Sequence, residues 1–210
     1  MAWRLEKSTL AGQGPEACGF DEAINLAFVA PQALDPFDGG DATGRITIRN
    51  PLGEEMSVLR RSLLPGLLQN LATNHRRGNL DVRLYETATV FLARNPAGKV
   101  ATKDREGASG ADAFAREVVR LAGVCAGTNE TAAFDRKANA LDFYDMKGFL
   151  EDLLEALGVS TSWPGGAVSF LPADDRYPFF HPRARAEILV RGGAENRPRW
   201  VGVVGEIHPD

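Results

Sequence analysis

The sequence predicts an α+β fold, a mainly antiparallel sheet with a few helices packed on one face. Three observations carry this. Runs of period two at 82–92, 183–191 and 199–207 read as strands. Two stretches with apolar residues three and four apart, at 62–77 and 142–157, read as amphipathic helices. In the last third strand adjoins strand without an alternating helix, which disfavours a doubly wound parallel sheet. One domain over 1–210 is expected, with ample material for a core in 210 residues.

Taken in order, residues 1–18 carry apolar Trp3, Leu5 and Leu10, but Gly12, Gly14 and Pro15 break any long helix there. In GFDEAINLAFVAP, Ile24, Leu26 and Phe28 alternate with Ala23, Asn25 and Ala27, a strand that Pro31 ends. A turn-rich stretch, 32–44, leads to a short strand at Ile46 and Ile48 and then the Asn50-Pro51 turn. Leu63, Leu64, Leu67, Leu68 and Leu71 mark a helix that Ser62 can cap, with Pro65 in its first turn and Gly78 after its last.

The next strand sends Val82, Leu84, Glu86, Ala88, Val90 and Leu92 one way and Arg83, Tyr85, Thr87, Thr89 and Phe91 the other. A surface loop is expected over 95–116, then a buried strand over 118–126. Met146, Phe149, Leu150, Leu153, Leu154 and Leu157 define the clearest helix, capped by Asp142 or Asp145 and ended by Gly158. A short strand at 168–171 precedes a hairpin formed by 183–191 and 199–207.

Composition narrows the class. The chain is 44% hydrophobic and 25% charged, as ordinary globular proteins are. No apolar run approaches the roughly 18–20 residues of a membrane span and no signal pattern opens the chain, so the cytoplasm is the expected compartment and no membrane partner is expected. Cys18 and Cys125 are isolated, which excludes a disulfide framework and a CxxC knuckle. A net charge of −4 argues against a surface that is nucleic-acid footprint throughout, while leaving room for a local basic run at His75, Arg76 and Arg77.

Candidate chemistry is sparse. His75, His181 and His208 have no HExxH-like spacing, and His181-Pro182 and His208-Pro209 read as turns at strand ends. Glu86 falls on the apolar face of its strand, either a general base or, by preference, a carboxylate paired with an arginine or with backbone N–H groups. Asp142, Asp145, Glu151 and Asp152 read as helix capping and a solvated face, not as a metal site. No GxSxG elbow is present, and Gly202-Val203-Val204-Gly205 lacks the lysine of a phosphate loop; its glycines indicate close approach by another backbone.

Four blocks in order nevertheless form a recognisable pattern: NPLGEEMSVLRRSLLPGLLQNLATNHRRGNLDVRLYETATVF, DFYDMKGFLEDLL, HPRARAEILV and VGVVGEIHP. They resemble the core domain of the phenylalanyl-tRNA synthetase beta subunit from about Gly19 to Pro209, with 95–116 the weakest part. The resemblance implies a class II aminoacyl-tRNA synthetase-like core. GFDEAINL is similar to the end of motif 1, used in subunit contacts, so Gly19, Phe20, Ile24, Leu26 and Phe28 become candidate interface residues. Leu26 stands where class II enzymes usually carry proline, and a motif 1 helix is implied before Gly19, in a segment whose glycines and proline suggest alteration or truncation.

The strand after LRRSLLPGLL resembles the approach to motif 2, which in catalytic members ends Phe-Arg-x-Glu. Here it reads Phe91-Leu92-Ala93-Arg94, so Leu92 replaces the arginine that holds the adenylate and Arg94 replaces the glutamate. No counterpart of the motif 3 arginine precedes Asp210. The resemblance therefore implies a catalytically silent core that supports assembly with the alpha subunit and aminoacylation of tRNA(Phe). No cofactor or metal is expected in this chain; ATP and Mg2+ are expected in the alpha subunit. Editing and anticodon-binding domains of the family are not in this sequence, so an excised core or a fragment is expected. Two other readings remain open: an active small-molecule or aminoacyl ligase on the same fold, and an RNA-binding module using His75, Arg76, Arg77 and Arg83.

Overall fold

In the computed structural model, β5 (Val82–Ala93) and β6 (Ala115–Ala126) pair antiparallel along their whole length and form the backbone of the sheet. The structure describes residues 1–6, 15–38, 42–93, 115–129, 139–159, 167–191 and 197–208. Around the central pair lie β1 (Ala2–Glu6), β2 (Asp21–Glu22), β7 (Val168–Pro172), β8 (Phe180–Arg191) and β9 (Pro198–Ile207). Their order is β2-β5-β6-β1-β9-β8-β7, antiparallel throughout except that β2 runs parallel to β5. A separate two-stranded ribbon joins β3 (Phe28–Val29) to β4 (Val58–Leu59).

Helices cover both faces of this sheet, not one. Leu64 and Leu67 of α2 (Leu64–Arg76), with Leu63 just before it, pack on Val90, Ala122, Val124, Phe180 and Val203. Met146, Leu150, Leu153 and Leu154 of α3 (Phe143–Ala156) pack on the other face, against Tyr85, Leu121, Cys125, Ile188 and Val204. The near-continuous apolar run of β6 is the reason, because a strand buried on both sides must be apolar on both. A four-residue helix, α1 (Asp35–Asp38), follows β3.

Residues 2–6 form a strand of the main sheet. β1 inserts between β6 and β9 and hydrogen-bonds to both, so residues 2–6 join the two halves of the sheet; residues 7–14 lie outside the described set. The single strand expected in GFDEAINLAFVAP is instead two short ones, with 23–26 outside any strand and a bend at Ala27 between them. The strand expected at Ile46 and Ile48 reduces to one bridge, Thr47 opposite Val58. Of the loop expected over 95–116, residues 95–114 lie outside the described set, while Ala115 and Arg116 already belong to β6.

Both helix ends follow the chemistry of their sequences. Asp142 accepts from the N–H groups of Tyr144 and Asp145, and Asp145 returns a carboxylate to the Asp142 N–H, a reciprocal capping box. At α2 the N-cap position falls on Leu63; Ser62 Oγ accepts from the Leu64 N–H, one residue out of the expected register. Gly78 (φ 88°) and Gly158 (φ 77°) reverse the chain after the two helices in the left-handed region open to glycine. Gly205 of β9 faces the Phe180 ring so closely that a Cβ there would lie 2.7 Å from it and 3.0 Å from the Ala184 carbonyl oxygen. The close approach expected of this glycine is thus made by β8.

Candidate subunit interface

Residues 23–27 form an arm between β2 and β3 at the edge of the sheet, and its amphipathy is inverted. Ala23, Asn25 and Ala27 are half-buried, whereas the large apolar residues point outward: Ile24 is 90% exposed and Leu26 66%. Phe28 continues the exposed series. Leu52, 96% exposed, lies in the turn before residues 54–56, which pack against β3 beside the arm. Single exposed apolar side chains are commonplace; several on one ordered arm mark a contact surface.

A buried polar network fixes that aim. The Arg60 guanidinium donates from Nη1 to Glu86 Oε1 at 2.7 Å. The same oxygen accepts the Asn25 N–H at 3.2 Å, and Glu86 Oε2 accepts Asn25 Nδ2 at 2.9 Å. Asn25 Oδ1 in turn accepts Asn70 Nδ2 of α2 at 3.0 Å. Arg60 also donates from Nη1 to the Asn25 carbonyl and from Nε to the Thr89 carbonyl. Its own N–H donates to the Ala27 carbonyl and its carbonyl accepts the Phe91 N–H. Two charges at 2% and 6% exposure would be costly without such saturation.

Gly66 completes the seat. A Cβ at this position of α2 would lie 2.9 Å from Asn25 Cγ and 3.1 Å from its Cβ, so only glycine lets the arm lie on the helix. The arrangement pairs Glu86 with the Arg60 guanidinium and with the Asn25 N–H and amide. Sequence reasoning missed Asn25, Arg60, Gly66 and Asn70. The polar Asn25 between apolar Ile24 and Leu26 was the available signal.

Other candidates scatter. Gly19 is exposed, but Phe20 is core, edge-on to Phe149 with ring centroids 5.6 Å apart, and is not free for a partner. His75, Arg76 and Arg77 stand exposed together at the end of α2. Arg83 is on the opposite sheet face, its guanidinium 5.0 Å from the Phe149 ring centroid, so it does not extend that basic run. His181 lies within β8, not in a turn, and stacks on His208 with centroids 6.0 Å apart. On α3, Glu151 pairs with Lys147 one turn away and Asp152 is exposed.

Leu92 sits near the end of β5 opposite Arg116 and forms part of the wall of a cavity of about 340 Å³. Arg61, Arg120 and Arg176 also line it. Arg61 is turned to the Thr43 carbonyl and Asp38, and Arg176 to Asp174 and Glu187. Arg94 lies outside the described residues.

Comparison with known proteins identifies the family. The family model for the phenylalanyl tRNA synthetase beta chain CLM domain matches residues 6–210. The chain belongs to that family. It is 37% identical over 179 residues to the phenylalanine–tRNA ligase beta subunit of Anaeromyxobacter dehalogenans, covering 85% of this chain and 20% of that protein. The beta subunit from Geobacter metallireducens is 35% identical over 213 residues, covering 99% of this chain and 22% of the relative. The chain thus spans about a fifth of the length of these relatives. Among solved structures, Giardia lamblia prolyl-tRNA synthetase in complex with prolyl-adenylate aligns with a TM-score of 0.50 at 10% identity, over 90% of this chain and 40% of that one. The likeness is one of fold, the α+β core of class II synthetases. Among the described residues no helix is long and apolar enough to cross a membrane.

Proposed function

We propose that this chain is the non-catalytic core of a phenylalanine–tRNA ligase beta subunit and that it docks a catalytic alpha subunit through the arm at Ile24, Leu26 and Phe28, with Leu52 at its rim. Family membership supports the setting. The observation that carries the docking face is the inverted arm, held by buried hydrogen bonds with its large apolar side chains outward. A free protein gains nothing from that arrangement; a partner that buries about 25 cal/mol per Å² of apolar surface does.

ATP belongs to the alpha subunit in this reading. The class II adenylating step needs a fixed cation against developing phosphate charge at the end of the motif 2 strand. Leu92 supplies none, and two of the cavity's arginines are already directed to protein carboxylates. The residues at this place do not fit an adenylating centre, so no step is assigned to them. The exposed His75-Arg76-Arg77 cluster is the face we assign to tRNA(Phe) in the assembled cytoplasmic enzyme, as a positively charged helix end suits a phosphate backbone.

The test is sedimentation of the chain with the alpha subunit from the same source, alongside ATP–pyrophosphate exchange by the chain alone. Complex formation at micromolar concentration with no exchange above background supports the reading. A monomer that catalyses exchange overturns it in favour of an active ligase.

A further inference from the structure

We infer that Glu86 is the positioning residue of the docking arm: through Asn25, and with Arg60 and Asn70, it sets the aim of Ile24 and Leu26 before any partner arrives. This rests on the docking face proposed above and explains how a segment of so little burial is held in one conformation. Five residues cannot order themselves by local propensity, since each fixed residue costs roughly 1–2 kcal/mol of backbone entropy. The arm has no apolar side chain turned inward larger than alanine to offset that cost. Its ordering comes from backbone bonds at its two ends, Ala23 N–H to the Tyr85 carbonyl and Arg60 N–H to the Ala27 carbonyl, and from polar contacts that converge on one residue between them, Asn25, whose N–H, carbonyl, Oδ1 and Nδ2 all have partners.

Those partners come from three separate elements. Glu86 is on β5, Arg60 follows β4, and Asn70 is on α2 facing across the Gly66 notch. Because burial alternates along the arm, with Asn25 inward and Ile24 and Leu26 outward, locking the asparagine inward locks both apolar side chains outward. A pre-ordered arm binds more tightly than a loose one bearing the same side chains, because its ordering entropy is not charged against association. Glu86 touches no partner in this scheme; it acts through Asn25.

Three variants of the full chain test this: Glu86→Gln, Asn70→Ala, and the double change Asn25→Asp with Glu86→Gln. The first sets an amide donor against the Asn25 donor and removes the charge facing Arg60. The double change moves the carboxylate to the arm and the donor to β5, restoring the pairing with reversed roles. Amide hydrogen exchange at Asn25 in the free chain should quicken about tenfold in Glu86→Gln while α3 is unaffected, and recover in the double variant. Association with the alpha subunit should weaken about tenfold in Glu86→Gln, and less in Asn70→Ala, with recovery in the double variant. Unchanged exchange at Asn25 in both single variants overturns the inference whatever the partner does. Faster exchange with unchanged association also overturns it. If the unaltered chain fails to bind the alpha subunit yet exchange responds as expected, the pinned arm stands and the docking reading falls.

Discussion

Arg60 and Glu86 form an ion pair at 2.7 Å with both side chains almost wholly buried, and the pair holds an arm whose apolar residues face outward. A buried pair adds little stability over an apolar one of the same shape. Removing one partner, however, leaves a charge with no water and no counterion.

Glu86→Ala and Arg60→Ala should each lower unfolding free energy by about 3–5 kcal/mol, read from urea denaturation midpoints. A loss within about 0.5 kcal/mol, the range of ordinary surface changes, would show that the pair is solvated in the folded protein.

Two helix glycines should respond in opposite ways to alanine. Gly148 in α3 has nothing within 4 Å of a new Cβ, so Gly148→Ala should stabilise the chain by about 0.5–1 kcal/mol. At Gly66 the same change drives a methyl into Asn25, cancelling that gain and loosening the arm. Equal stabilisation by both substitutions would mean that the arm does not rest on α2.

Asp81 accepts the Thr128 N–H at 2.7 Å and its hydroxyl at 2.8 Å, clasping the start of β5 to the chain just past β6. These hydrogen bonds hold its carboxyl below the usual range. A depressed folded-state pKa gives stability that is present above the unfolded value, about pH 4, and is lost as pH falls toward the folded one. Asp81→Asn should therefore flatten the acid limb of a stability-versus-pH curve and leave its neutral part similarly shaped. An unchanged acid limb would show that the clasp is open in solution.

Burial pushes the Cys125 thiol up to about 11 and shields it completely from solvent. Site-resolved alkylation near pH 8 should spare Cys125 until urea unfolds the chain, so its labelling tracks the unfolding curve. Prompt modification in native buffer would place Cys125 outside the α3 core.

The helices were legible because their burial is local in sequence. The spacing of Leu63, Leu64 and Leu67, and of Met146, Leu150 and Leu153, states which face is apolar. The alternation around Asn25 was legible too, but period two gives only that two sides differ, not which side is inward. That depends on Glu86 and Arg60, 61 and 35 residues away in the chain. β1 was missed for the same reason, since its partners β6 and β9 lie more than a hundred residues along. Helices on both faces were foreshadowed in the near-continuous apolar run of β6, which reads in the sequence only as burial.

The most direct test of the account is sedimentation of the chain with the alpha subunit from the same source, comparing the unaltered chain with an Ile24→Asp, Leu26→Asp double variant. Both side chains are exposed, so the variant should unfold within about 0.5 kcal/mol of the original per site. The account predicts a stable complex for the unaltered chain and none at micromolar concentration for the variant. Equal binding by the two, with folding intact, would contradict it.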